Sequence, residues 1–265
     1  MLRTRAMDGE RFAALVEVIE RLLGPDGCPW DRAQSPESMR RFVLEEAFEL
    51  VEAIDAGDPG ALREELGDLL MQVVLLGELA RARGWFTTDD AIEGIRDKLV
   101  RRHPHVFADA TARDAAEVLE RWEAIKRTEK AGRGLLDGVP VTMPALARAV
   151  AIGEKAARVG YDWADAQGVR AKIDEELAEL DAADSPEAEE RELGDLLFAL
   201  ASYARKRGHD PEAALRRALA RFTARMGAVE RAAAADGVAL EALDADALDR
   251  LWQRAKAETD GRDQR

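Results

Sequence analysis

Two short acidic patterns occur at helical spacing, and each occurs twice in the chain. The first, Glu-Glu-x-x-Glu, spans Glu45–Glu49 and again Glu175–Glu179. The second, Glu-x-x-Asp, spans Glu65–Asp68 and again Glu192–Asp195. Residues three or four apart share one face of a helix, so the last two glutamates of the first pattern project together, as do both acids of the second. Each copy therefore offers four carboxylates on two helices.

Four carboxylates on two packed helices form an oxygen-rich cage. Such a cage suits a hard cation such as Mg²⁺, and it suits zinc poorly because zinc favours His and Cys ligands. The candidate ligands of the second copy are Glu176, Glu179, Glu192 and Asp195. Those of the first copy, a second candidate metal site, are Glu46, Glu49, Glu65 and Asp68. An isolated Glu-Glu-x-x-Glu, however, is usually only a solvated acidic helix face.

The residues around the second pattern argue against a merely solvated helix. Glu192 and Asp195 are the only charged residues in Glu192–Ala204, and the apolar run Leu69–Leu76 directly follows Asp68. Helices of this composition are expected to be buried, and a buried carboxylate is unfavourable unless it is paired or metal-bound. One kind of metal site would supply the cationic partner that the carboxylates need in both copies. Salt bridges to arginine are the structural alternative to a metal.

The acidic patterns belong to a longer internal repeat. Glu65–Leu70 returns unchanged as Glu192–Leu197. Each copy is followed by an apolar stretch that ends in Arg-Gly, and later by a Trp-x-x-x-Lys pair. A shared order of features over roughly 80 residues indicates duplication.

Turn residues divide each copy into helices. Gly57–Gly60 and Asp184–Pro186 read as loops between the two acidic segments, and the next helices are expected from Thr88 to Arg102 and from Pro211 to Ala235. Ala, Leu, Glu and Arg dominate the composition, which favours helices over sheets. We therefore predict an all-α protein made of two four-helix modules in tandem. The predicted modules are 1–130 and 146–265, with a Gly- and Pro-rich linker over 131–145.

Charge and composition exclude several other classes of protein. The formal charge of −14 disfavours binding to a nucleic-acid polymer, so an anionic ligand would need a metal or a local basic cluster. Neither a P-loop nor a dinucleotide-binding glycine pattern occurs. His103 and His105 lack further His or Cys neighbours, so we expect them to end a helix rather than bind a metal. Without an apolar signal core or a run of about 18 apolar residues, we expect a cytoplasmic protein that does not contact membranes.

The two acidic patterns in this order are the signature of the all-α nucleoside triphosphate pyrophosphatases, and their tandem arrangement resembles the MazG family over nearly the whole chain. Supporting segments are Gly27–Asp31, Arg101–Asp109, Val159–Trp163 and Arg221–Arg225. The resemblance implies Mg²⁺-dependent hydrolysis of nucleoside triphosphates to monophosphates and pyrophosphate, with Mn²⁺ as a substitute ion. It also implies a homodimer.

The resemblance further implies which residues act. The metal ligands would be the carboxylate quartets named above, and contacts to the triphosphate or base would fall on Lys172, Arg221, Arg225 and Trp252. Seen alone, the three basic residues could equally be solvated helix charges, and the tryptophan could be a core residue. The first copy has Phe42 where the second has Lys172, so we expect catalysis chiefly in the second copy. The alternative is a non-catalytic helical scaffold that binds nucleotides or regulates a partner.

Overall fold

Helices make up all the regular structure that is described. The computed structural model describes residues 6–108, 113–129, 132 and 134–260. In this part of the chain there are twelve α-helices, one 3-10 turn over Leu240–Ala242 and no β-strand. The prediction of an all-α fold is therefore confirmed. The chain divides into two compact units, Met1–Ala131 and Gly132–Arg265.

The first unit holds the first pair of acidic patterns on two of its longest helices, α3 and α4. Its described helices are α1 (Ala6–Leu23), α2 (Pro29–Arg32), α3 (Arg40–Ala56), α4 (Pro59–Ala82), α5 (Thr88–Arg102), α6 (Pro104–Phe107) and α7 (Ala115–Glu129). Helix α5 has the predicted bounds. His103 follows the last residue of α5, as predicted, with its Nδ1 atom 2.7 Å from the Leu99 carbonyl oxygen.

The second unit holds the second pair of patterns on α9 and α10. Its described helices are α8 (Ala145–Ala157), α9 (Ala166–Asp181), α10 (Pro186–Lys206), α11 (Pro211–Ala235) and α12 (Ala245–Asp260). Helix α11 also has the predicted bounds. That the two units are copies of one module stays a prediction. No helix in the described ranges is both long and apolar enough to cross a membrane.

A capping residue followed by proline begins α4, α10 and α11. The side chains of Asp58, Ser185 and Asp210 each accept a hydrogen bond from a backbone N–H in the first turn. Proline at the first helical position lacks only an N–H group that would have no partner there, and its fixed φ suits the helix. Glu65 and Glu192 each lie seven residues after their cap. The capping residue and the proline after it thus fix where each helix begins, and so on which turn of the helix Glu65 or Glu192 lies.

Each acidic pattern is positioned by packing within one helix pair, α3 with α4 and α9 with α10. Gly57 ends α3 with φ +66°, a left-handed conformation that glycine adopts without strain, and α4 begins two residues later. The buried core described in the first unit includes a cluster of Ile19, Met39, Val74, Leu75 and Leu79. Between α9 and α10 the buried core consists of Ile173, Leu196 and Ala199.

The prediction that the apolar helix around Asp195 is buried on all sides is wrong for this chain. Asp195 itself is exposed. The leucines on the outer face of α10 are 44–47% exposed, namely Leu193, Leu197 and Leu200. Helix α4 behaves similarly, since Val73 is 56% exposed while Val74 is fully buried. Both helices leave part of their surface exposed around the acidic patterns, so burial alone does not account for the aspartates.

A partly buried ion-pair network holds the segment between α8 and α9. The Asp162 carboxylate lies 2.6 Å from Arg205 Nη2 and 2.7 Å from Lys206 Nζ, and the three side chains are 13–18% exposed. Hydrogen bonds from Arg205 and Lys206 lower the pKa of Asp162 to about 2. The network ties this segment to the end of α10.

Replacing this carboxylate should weaken the second unit. We expect Asp162→Asn to lower the free energy of unfolding by roughly 2 kcal/mol near neutral pH, because a pKa shift of nearly two units has about that value and both cations lose their counter-charge. The pKa of Asp162 is lower in the folded than in the unfolded chain. The stabilisation is therefore complete above the unfolded pKa of 3.8 and is lost as the pH falls toward 2.

Urea unfolding of the parent chain and the Asp162→Asn variant at several pH values measures this difference. About half of it should remain near pH 3. A difference that stays the same from neutral pH down to about pH 3 would show that the ion pairs are not its source.

Candidate metal centre

Three glutamates converge between α9 and α10. Glu176 and Glu179 on α9 and Glu192 on α10 each place a carboxylate oxygen within 4.8 Å of the others. Glu176 is buried at 3% exposure, Glu192 is half-buried and Glu179 is exposed. Oxygens this close on two helices can all reach one small cation.

The first unit carries the matching group between α3 and α4. One carboxylate oxygen of each of Glu46, Glu49 and Glu65 lies within 4.8 Å of the other two. Glu46 and Glu65 are half-buried, and Glu49 is exposed. In the described ranges, these are the two clusters in which three or more acidic, His or Cys ligands come this close. We call them the first and the second glutamate cluster.

The two predicted aspartate ligands stand beside the clusters. Asp68 and Asp195 each follow the α4 or α10 glutamate by three residues, which places them on the same helix face one turn along. Neither is among the carboxylates that meet within 4.8 Å. Asp68 is still close enough for its charge to help raise the pKa of Glu46. The structure thus brings three of each four predicted ligands together, with the fourth adjacent.

Crowding of the carboxylates changes their acidity. Partial burial away from water is the main cause that raises the pKa of Glu65, and repulsion from neighbouring acids raises it further. Partial loss of water also raises the pKa of Glu46 and of Glu179, although a hydrogen bond from Gln72 and the charge of Lys172, respectively, act in the opposite direction. A cation among these oxygens would remove the repulsion, so the electrostatics fit a metal ion.

Lys172 lies in contact with the second cluster. Its Nζ is 2.7 Å from Glu175 and 2.7 Å from Glu176, and these hydrogen bonds raise the pKa of the lysine above its ordinary range. The lysine therefore supplies the counter-charge of the buried Glu176. A contact between Lys172 and a phosphate, as the resemblance implies, requires the ammonium group to leave these carboxylates.

Glu46 of the first cluster, at the position that matches Glu176, has a different partner. Gln72 Nε2 donates a hydrogen bond of 3.2 Å to Glu46 Oε1. Phe42, which stands where the second unit has Lys172, packs edge-on against Trp30 with ring centroids 5.5 Å apart. Sequence reasoning missed Gln72, whose only signal is a single amide within the apolar run Leu69–Leu76.

The Gln72 amide provides a test of whether the first cluster suits a metal ion. Gln72 is 4% exposed, and its Oε1 atom is buried without a hydrogen bond to any described residue. An unsatisfied buried amide oxygen is destabilising, so its burial beside the glutamates needs a reason. Amide and carboxylate oxygens are the ligands preferred by hard divalent cations. The residues of this cluster therefore fit such an ion.

The predicted substrate contacts on α11 and α12 form a separate set. Arg225 Nε donates a hydrogen bond of 3.1 Å to Thr259, and its guanidinium lies 5.9 Å from the centroid of Trp252. Trp252 also packs against Phe222, with centroids 5.1 Å apart. Arg221 is exposed one turn before Arg225. The structure thus brings Arg225 and Trp252 together on α11–α12, while the predicted lysine lies with the glutamates of α9–α10.

Comparison with known proteins assigns this arrangement to a family. Residues 34–107, which include the first glutamate cluster, match the MazG nucleotide pyrophosphohydrolase domain. The nucleoside triphosphate pyrophosphohydrolase/pyrophosphatase MazG of Thermotoga maritima is 43% identical over 250 residues, which cover 94% of this chain and 96% of that protein. A nucleoside triphosphate pyrophosphohydrolase of Escherichia coli K12 is 42% identical over 252 residues, covering 91% and 95% of the two chains. Since the similarity extends over nearly the full length of this chain and of both relatives, the chain belongs to the MazG family.

Proposed function

We propose that the protein hydrolyses nucleoside triphosphates to nucleoside monophosphates and pyrophosphate, chiefly at the second glutamate cluster. The observation that carries this proposal is the convergence of Glu176, Glu179 and Glu192 on one helix pair, with Asp195 one turn away. The names of the two relatives supply the substrate class and the reaction. The oxygen-only donor set supports Mg²⁺ as the ion, with Mn²⁺ as a substitute.

In this proposal the four acids of α9 and α10 hold the metal. A bound Mg²⁺ would neutralise phosphate charge and make a water molecule more acidic. Glu179 is the exposed member of the cluster, so its carboxylate is the one that water can reach. Glu176, buried between the helices, would fix the position of the ion rather than exchange protons with solvent.

The basic residues would bind the triphosphate. The net charge of −14 repels an anionic substrate, so local cations must offset it. Lys172, Arg221 and Arg225 are proposed to bind phosphate oxygens through charge-assisted hydrogen bonds. Trp252 offers an aromatic face for the base and already lies against Arg225.

We also propose that the protein forms a homodimer through the outer face of α9 and α10. Large apolar side chains on these two helices are 37–47% exposed, namely Leu177, Leu193, Leu197, Phe198 and Leu200. Several exposed large apolar side chains on one helix pair are typical of an interaction surface, and a second copy of this chain is its simplest partner.

The dimer proposal predicts a change in mass when this face is made polar. Leu197→Asp should convert the dimer to a monomer of 29.1 kDa in light scattering. The matched control is Leu219→Asp, because Leu219 is also exposed, at 58%, but lies on α11. A parent chain that is already monomeric at micromolar concentration would reject the proposal.

Metal dependence is the next expected outcome. Excess EDTA should abolish pyrophosphate release, and Mg²⁺ should raise the melting temperature because it relieves repulsion among the carboxylates. Glu46, Glu65 and Glu179 have raised pKa values, so they bind protons in the range where ordinary glutamates are ionised. Protons therefore compete with the metal, and the Mg²⁺-induced rise should shrink as the pH falls toward the ordinary glutamate pKa of 4.5, beginning above it. Full activity in EDTA would contradict the metal mechanism.

The two clusters should differ in their importance for catalysis. We expect Glu176→Gln and Asp195→Asn to reduce pyrophosphate release by about 100-fold or more, as the loss of a charged group from a phosphoryl-transfer site commonly does. The matched variants Glu46→Gln and Asp68→Asn should keep most of the activity, because the first unit lacks the lysine.

Pyrophosphate release from a panel of nucleoside triphosphates, with folding checked by circular dichroism, measures both pairs of variants. Equal losses in the two pairs would contradict the assignment to the second cluster. Nucleotide binding without any pyrophosphate release by the parent chain would indicate a regulatory scaffold instead.

A further inference from the structure

The two glutamate clusters give matching glutamates, Glu176 and Glu46, different partners. In the second cluster Lys172 Nζ lies 2.7 Å from Glu176. In the first cluster the neutral amide of Gln72 lies 3.2 Å from Glu46, the residue at the matching place in the acidic pattern. One unit thus uses a cation from the same helix, and the other uses an amide from the opposite helix.

Each partner is missing from the other unit. Phe42 replaces the lysine in the first unit, and it packs against the hydrophobic core there. Ala199 replaces the glutamine in the second unit, since it lies seven residues after Glu192 as Gln72 does after Glu65. Ala199 is 2% exposed and belongs to the core between α9 and α10. The first unit therefore has the glutamine without the lysine, and the second unit has the lysine without the glutamine.

This exchange alters the net charge that a metal ion would meet. Three glutamates with a neutral partner leave the first cluster one unit more negative than three glutamates with a lysine. The number of charges on the ligands is a principal determinant of the affinity of an oxygen site for divalent cations. The lysine also occupies carboxylate lone pairs of Glu176 that a metal ion would need.

We propose that the first cluster binds a free divalent cation without nucleotide, whereas the second cluster takes up its metal only together with a nucleoside triphosphate. This proposal rests on the function proposed above. In the second cluster Lys172 stands in for the metal until phosphate oxygens draw its ammonium group away. In the first cluster no cation among the described residues has to be displaced, and the buried Gln72 amide keeps Glu46 in place.

The unsatisfied oxygen of Gln72 supports this reading of the first cluster independently of its acids. The amide is almost fully buried, and its Oε1 atom lacks a partner among the described residues. A bound ion, or a water molecule held by that ion, would give this oxygen the polar contact it needs. Gln72 is thus a positioning residue, which holds Glu46 beside the proposed ion.

Titration of the full chain with Mn²⁺, with free Mn²⁺ measured by electron paramagnetic resonance, tests the proposal. Without nucleotide we expect one ion per chain, and any second ion should bind at least about tenfold more weakly. A triphosphate analogue with a non-hydrolysable bridge between its α and β phosphates should raise the number of tightly bound ions to two. The double variant Glu49→Gln/Glu179→Gln, which impairs both clusters, measures the background Mn²⁺ binding to other surface acids.

Matched variants assign each ion to a cluster. Glu49→Gln should remove the tight ion, while Glu179→Gln should leave it in place. Lys172→Gln should add a second tight ion without nucleotide, because it removes the internal cation. Gln72→Ala should weaken the tight ion by about tenfold or more while circular dichroism stays unchanged.

Several outcomes would overturn the proposal. These are two equally tight ions without nucleotide, no tight ion at all, loss of the tight ion in Glu179→Gln, or no gain of an ion in Lys172→Gln. The titration does not depend on turnover. If the parent chain releases pyrophosphate but shows two equal ions, the order of metal binding fails while the proposed function stands. If it shows the expected ions without hydrolysis, the function fails instead.

Discussion

Repulsion between carboxylates that are held a few ångströms apart on one helix pair is the constraint on which this structure depends. Glutamates from two helices meet in each unit; Glu176 of the second unit is buried, and Glu46 and Glu65 of the first are half-buried. Such a group persists only if hydrophobic packing elsewhere on the same helices holds it, or if a cation offsets its charge. The caps that begin α4 and α10, and the apolar cores beside the clusters, supply the packing.

The counter-charge differs between the units, and this difference links structure to function. The lysine of α9 offsets the charge of Glu176 in the second cluster, and in the proposed function the same ammonium group would bind phosphate once it is released. The first cluster has only an amide and stays more strongly negative. A chain with two such clusters can separate a site that keeps an ion from a site that exchanges metal and substrate together.

Much of this arrangement follows from local sequence signals. Caps, prolines and glycines predicted the bounds of α5 and α11, and helical spacing predicted which glutamates share a face. Contacts between helices were harder to predict. The approach of Gln72 to Glu46 depends on how α3 and α4 are rotated against each other, which a single amide in an apolar run does not reveal. The outer leucines of α10 were wrongly expected to be buried, because composition does not show which face of a helix has a partner.

The central claim is that the glutamates of α9 and α10 hold the metal that serves the triphosphate. Crystals grown with Mn²⁺ and a triphosphate analogue bridged between its α and β phosphates test this claim most directly, through anomalous scattering from the ion. The account predicts an anomalous peak about 2.2 Å from carboxylate oxygens of Glu176, Glu179 and Glu192, with Lys172 moved to the phosphates. Nucleotide bound elsewhere, with Lys172 still paired to Glu176 and no peak between the two helices, would contradict it.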